Sequence, residues 1–200
     1  MEKYNMVPFD KIYGDVMGRL DKKLPICYTY HDAAHTLYVL EKAILIGEAE
    51  NIDKQDMVLV KTAALYHDTG YLIGRINHEE IGCQTAIQEL TAFNYSEESI
   101  QLVCGMISAT KIPQNPKSHL DQIVADADLE YLGTDLFELG GRKLYKELKC
   151  FNPSLSDEQW LKIQISFLES HRYHTKFCLE NREWKKQENL SKLKTELSGR

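Results

Sequence analysis

His67 and Asp68 stand side by side at the end of an apolar run, Ala63-Ala64-Leu65-Tyr66, and Gly70 follows two residues later. Imidazole nitrogen and carboxylate oxygen are ligands for divalent transition metals. Two further imidazoles lie upstream, in Tyr30-His31-Asp32-Ala33-Ala34-His35, and two further carboxylates lie downstream, in Asp126-Ala127-Asp128. Ligands scattered this widely cannot come from one loop. They suit a metal site assembled between helices, where a bound ion would activate water and polarise an oxygen.

The elements that must carry these residues read as helical, with strand alternation nearly absent. The first helix is expected over Phe9–Leu20, where Ile12, Val16 and Leu20 share a face. The second is expected from His31 to about Glu48, which puts His31 and His35 on one face. The third, capped by Asn51 or Asp53, should run to Thr69, with Gly70 as its C′ residue. In that helix Leu59 and Ala63 lead along one row to His67, and Val60 and Ala64 lead to Asp68. Both polar residues thus continue buried stripes. A buried charge without a partner costs several kcal/mol in practice, so each needs a metal ion or a mutual hydrogen bond at the helix end.

A loop over Tyr71–Ile76 is expected next. Asn77 then caps a helix opening with His78, Glu79 and Glu80, and Ser96 caps a fifth that ends at Thr110-Lys111. Pro113 and Pro116 make 112–118 a connector. A sixth helix is expected over His119–Leu132, with Asp128 on the flank of its apolar stripe and Asp126 solvated on the other side. Thr134 opens a helix that should be interrupted at Gly140-Gly141, and Ser156 with Gln159 forms a capping box for the next. The tail from Glu183, rich in Lys and Glu, reads as a solvated helix available to a neighbouring subunit.

The chain has 200 residues, 43% hydrophobic and 27% charged, which suits one all-α domain over 1–200, a core at about 30–133 and C-terminal helices over 134–200. A formal net charge of −6 argues against extended nucleic acid but not against a nucleotide. Five widely spaced cysteines, Cys27, Cys83, Cys104, Cys150 and Cys178, with no CxxC, read as reduced thiols of a cytoplasmic protein. The start, Met1-Glu2-Lys3-Tyr4-Asn5, has no apolar signal core, and no apolar run reaches membrane-spanning length.

The ordered set His35, His67-Asp68 and Asp128 resembles the HD-domain superfamily of metal-dependent phosphohydrolases, over roughly Tyr30 to Leu132. The resemblance implies an all-α HD-domain helical bundle that brings these four side chains to one divalent ion: Mn, Fe, Co, Ni, Zn or Mg. Tyr30-His31-Asp32-Ala33-Ala34-His35 is also similar to the Tyr-His-Asn-x-x-His motif of cyclic-nucleotide phosphodiesterases, with Asp32 in place of Asn. That similarity casts His31 as the proton donor to the leaving oxygen. His78-Glu79-Glu80-Ile81-Gly82 is similar to the segment that holds a second ion in two-metal branches, and makes His78 the candidate for it. Those branches add a histidine pair where this chain reads Ser108-Ala109-Thr110-Lys111.

The implied activity is hydrolysis of a small phosphate ester, monoester or diester, including a nucleotide. Lys111 joins His31 as a catalytic candidate, and Arg75 and Lys111 are the cations for the phosphate. The alternatives are a di-iron oxygenase of the same fold and a non-catalytic ligand-binding module. A homodimer through the C-terminal helices is compatible with the tail, although no heptad specifies one.

Overall fold

A computed structural model describes residues 9–199. Ten α-helices follow one another: α1 (Phe9–Lys23), α2 (Ala33–Ala49), α3 (Lys54–Tyr66), α4 (His78–Ala92), α5 (Glu97–Ala109), α6 (His119–Leu129), α7 (Phe137–Phe151), α8 (Asp157–Ser170), α9 (Lys176–Asn181) and α10 (Glu183–Ser198). Short 3-10 turns over Thr69–Leu72 and Glu130–Gly133 follow α3 and α6, and no strand occurs among the described residues. None of the described helices is long and apolar enough to cross a membrane.

The centre of the fold is α3. Thr62 through Tyr66 are all buried, together with Leu59 and Val60. A helix buried on every side must be surrounded by others, and α3 packs against α1, α2, α4, α5 and α6. One core cluster joins Val39, Ala43 and Ile46 of α2 to Val60 and Ala64 of α3, Met106 of α5 and Ile123 of α6. A second cluster joins Leu129 and Leu132 to Phe137, Leu161, Leu168 and Leu190, so that α7, α8 and α10 are built onto the far end of α6.

Most helix starts lie where side-chain oxygens can take up free backbone N–H groups. Asp53, Ser96, Ser118 and Ser156 cap α3, α5, α6 and α8, and the last two form complete capping boxes. The second helix starts at Ala33 rather than His31, because Asp32 is its N-cap and accepts from His35 N at 2.8 Å. Asn and Asp are equivalent caps, so Asp32 does at this position what an Asn would do.

Six further expectations are corrected. Asn77 precedes α4 in a left-handed conformation, φ 56°, and its side chain makes no cap hydrogen bond. Gly70 is not a left-handed C′ residue, since no described glycine has positive φ. It sits in the 3-10 turn, where a Cβ would come within 1.9 Å of His78 O. The need there is for close approach. Gly140 and Gly141 do not interrupt α7; Cβ atoms on them would lie 2.7 Å from the Tyr131 ring and 2.8 Å from the Gln164 amide.

Asp126 is not solvated but fully buried, because the chain at 174–175 returns over that side of α6. The tail helix α10 packs within its own chain, burying Leu190 and Leu193, and Lys186 donates to His171 O at 2.8 Å. Finally, Cys27 and Cys150 form a disulfide with Cα atoms 5.8 Å apart, while Cys83, Cys104 and Cys178 are free. These two cysteines are 123 residues apart, and only folding brings them together. The cysteine pattern therefore does not speak for a reducing compartment.

Candidate metal centre and its cavity

His67 caps the C-terminus of α3, and Asp68 begins the turn beyond it. The His67 Nδ1–H group donates to Ala64 O at 2.8 Å. That bond fixes the tautomer and leaves the Nε2 lone pair free to ligate. From α2, His35 brings its Nε2 to 3.4 Å from His67 Nε2. From α6, Asp128 brings Oδ1 to 3.1 Å from His35 Nε2 and 3.7 Å from His67 Nε2. Asp68 Oδ2 lies 3.2 Å from His67 Nε2 and 3.5 Å from His35 Nε2. Candidate ligand atoms from three helices and one turn thus converge on one point, and those of His35, His67 and Asp128 lie within 4.8 Å of one another.

A divalent ion fits this set. Asp68 Oδ2 is buried and makes no well-aligned hydrogen bond; its neighbours are the Nε2 atoms of His67 and His35, both suited to ligate the same ion. A buried carboxylate oxygen left unpaired is costly unless a cation takes it. Two imidazoles and two carboxylates also match the donor preferences of a transition metal. The electrostatics agree. Burial opposes ionisation of Asp68, yet the imidazoles of His67, His31 and His35 hold its carboxyl well below the usual range. Burial likewise opposes a charged His67, but Asp68 and Asp128 push it up to about 9. The pocket favours positive charge between its ligands, whether from a proton or a metal.

Around this centre the site is finished by aromatic rings. Tyr71 stacks on His78 at 4.0 Å and lies 4.5 Å from the His31 ring. Tyr30 packs at 4.7 Å from His35. His78 Nε2 faces the other oxygen of Asp68, Oδ1, at 3.7 Å. It can do so because α4 is pressed close to the turn after α3: a Cβ on Gly82 would lie 3.0 Å from Tyr66 O, and Gly70 leaves room for His78 O.

His31 is held by a residue that no local pattern marks. Its Nδ1 lies 2.5 Å from Glu147 Oε1, while Glu147 Oε2 accepts the backbone N–H groups of Tyr30 and His31 at 2.9 and 3.0 Å. Burial of His31 works against its charge, but Glu147 and then Asp68 outweigh it and raise the imidazole above its ordinary value. Burial works against Glu147 as well, and its bond to His31 outweighs that and holds its carboxyl low. With Nδ1 engaged, His31 presents Nε2 toward the Tyr71 hydroxyl, 3.4 Å away. Glu147 sits on α7, 116 residues from His31. Its one sequence signal is an acid beside the apolar residues Leu144 and Leu148.

A cavity of about 470 Å³ opens onto His31, Asp68, His78 and Asp128 and continues between α7 and α8. Arg75 lines it, with its guanidinium 4.8 Å from the Phe151 ring. Lys111 does not line it. Its ammonium donates to Glu80 at 2.7 Å on the surface, so of the two expected phosphate cations only Arg75 reaches the cavity. The reason is local: Glu80, in the first turn of α4, offers Lys111 a solvated partner.

Residues 32–130 match the sequence model of the HD domain, a span that contains His35, His67, Asp68, His78 and Asp128. The fold is similar to the crystal structure of a predicted HD superfamily hydrolase from an uncultured Thermotogales bacterium. That likeness has a TM-score of 0.63 at 20% sequence identity and covers 96% of this chain and 93% of the other. No curated protein sequence matches the chain.

Proposed function

We propose, on the premise that residues 32–130 form an HD domain, that the chain is a metal-dependent hydrolase that cleaves a phosphate ester. The observation that carries the proposal is Asp68 Oδ2, buried without a well-aligned hydrogen bond among His35, His67 and Asp128, at the inner end of a cavity that Arg75 also lines. His35, His67, Asp68 and Asp128 would hold one divalent ion. When bound, the ion supplies a Lewis acid and a water of lowered pKa.

The chain's own residues do the rest. Arg75 takes up phosphoryl charge through a planar, always-charged fork. His31 gives the proton on Nε2 to the departing ester oxygen as the P–O bond breaks. Glu147 holds the ring by Nδ1 and keeps the imidazole protonated to higher pH, which suits a general acid. Tyr71 stacks against His78 and fixes that wall of the site. Hydrolysis balances: the water oxygen bonds to phosphorus as the P–O ester bond breaks, the alcohol leaves with the proton from His31, and the proton that water gives up restores His31 through solvent.

Elemental mass spectrometry of the purified chain, beside a His67→Ala, Asp68→Ala double variant, tests the first half of this reading. One transition metal per chain, lost in the double variant, is expected. Metal-dependent release of nitrophenol from p-nitrophenyl phosphate or its bis ester tests the second half. A filled site with no turnover of either ester points instead to a binding module. Two irons per chain would bring His78 into the ligand set and favour an oxygenase.

A further inference from the structure

The cavity has two chemically different ends. The inner end carries His31, Asp68, His78 and Asp128, and Arg75 lines the cavity from the exposed loop before α4, its guanidinium 4.8 Å from the Phe151 ring. The outer end, between α7 and α8, is walled by Leu144, Leu148, Trp160, Ile163 and Phe167. Among the cavity-lining side chains of these two helices, the polar groups are the Trp160 indole N–H and the Gln164 amide. That amide lies against Gly141, where a Cβ would come within 2.8 Å of it. The Trp160 ring is held in place by stacking on Tyr145 at 5.6 Å and 12°.

From this division we infer that the substrate is an amphiphilic phosphate ester, its phosphate at the metal end and a hydrocarbon group lying between α7 and α8. The inference rests on the phosphohydrolase reading and adds the substrate class. A nucleoside is the poorer fit. The edges of a base and the ribose hydroxyls need several hydrogen-bond partners once removed from water, and this wall offers one amide and one indole N–H. A hydrocarbon needs none, and each methylene taken out of water is favourable in proportion to its area.

The volume, about 470 Å³, falls in the range of sites that enclose a small organic ligand. The rim agrees: Ile112 and Ile163 line the cavity and yet remain 51% and 46% exposed. These are large apolar side chains kept in water at the edge of a binding site. A chain longer than the cavity would cover them.

The test uses manganese-loaded protein and a series of straight-chain alkyl phosphates from ethyl to octyl, with nucleoside monophosphates beside them. Binding of ethyl- and octylphosphonate, which carry no ester bond to cleave, is measured separately by calorimetry. The expected result is a kcat/KM that rises with chain length by at least about 100-fold from ethyl to octyl, with octylphosphonate binding tighter than ethylphosphonate in parallel. Ile163→Gln and Leu148→Gln should each lower the octyl-to-ethyl ratio about tenfold. Ile163 is partly exposed, so its replacement does not threaten the fold, and circular dichroism checks both variants.

A flat chain-length profile, or a preference for nucleoside monophosphates, overturns the inference and leaves the phosphohydrolase reading standing. Chain-length-dependent phosphonate binding with no turnover of any ester does the reverse. Flat binding with no turnover overturns both.

Discussion

Asp126 and Asp128 sit two residues apart on α6, and they look into two different regions. Asp126 faces the chain returning after α8. It accepts from His174 N and Thr175 N, and from Thr175 Oγ1 at 2.7 Å. Thr175 in turn caps α9. Asp128 faces α2 and the turn after α3, where imidazoles and a second carboxylate surround it and where Asp68 keeps an oxygen without a well-aligned hydrogen bond. Both regions contain buried acid. One is saturated by donors that the fold supplies, and the other is left short of positive charge. A buried carboxylate with its full set of backbone donors anchors structure, whereas one that lacks them is fitted to a cation.

Glu147 is the intermediate case. Like Asp126 it accepts two backbone N–H groups, but its third partner is an imidazole facing the cavity.

The contrast can be broken most directly at the centre. His67→Ala or Asp68→Ala should abolish metal retention and take phosphate-ester turnover to background, read by elemental analysis and a nitrophenyl ester assay. The Asp68→Ala chain should still fold by circular dichroism, because neither hydrophobic core cluster includes Asp68.

Asp126→Ala should do the opposite. It leaves two buried N–H groups and a hydroxyl without their acceptor, for a loss of about 3 kcal/mol in chemical denaturation. The folded fraction should retain its metal. Loss of metal from folded Asp126→Ala protein would break the comparison.

Glu147 then decides which kind of carboxylate it is. His31→Ala should keep the metal and slow turnover about 100-fold. Glu147→Gln should slow it less and move the basic limb of the pH–rate profile to lower pH. The sign follows from the pair. Glu147 raises the pKa of His31 in the folded chain, so a general acid stays protonated to higher pH with the carboxylate than without it. In stability terms the pair contributes while His31 is protonated and Glu147 ionised. That contribution fades as pH rises through the raised His31 pKa, or falls through the depressed Glu147 pKa. An unshifted basic limb in Glu147→Gln would make Glu147 an anchor only.

The smallest effect is a proton count. Burial opposes a charged His67, but Asp68 and Asp128 push its pKa up to about 9, so a metal at Nε2 competes with a proton. Calorimetric titration in buffers of different ionisation enthalpy should show about one proton released per ion. No release would mean that His67 is already neutral before metal binds, with its proton on Nδ1.

Most helices and the Asp53, Ser96, Ser118 and Ser156 caps were legible in the chain because each rests on short-range physics, whereas the grouping of His35, His67, Asp68 and Asp128 is read from the resemblance to the HD domain. Ser118 bonds N–H groups of its own first turn. His67 and Asp68 finish rows that Leu59 and Val60 begin. Even Asp128, on the flank of its stripe, could be preferred to Asp126 as the inward ligand from the period of α6 alone. Tertiary structure alone decided the rest, because the deciding partner lies far away along the chain. Asp126 is buried by residues 174–175, Cys27 meets Cys150, His31 is held by Glu147, and Lys111 is claimed by Glu80. Gly140 and Gly141 read as a helix break by propensity, yet α7 continues through them, and glycine stands there because Tyr131 and Gln164 occupy the space that side chains would need. A periodic pattern shows which face of a helix turns inward. What waits on the other side of that face, a ring of imidazoles or a row of amide donors, is settled when the helices pack.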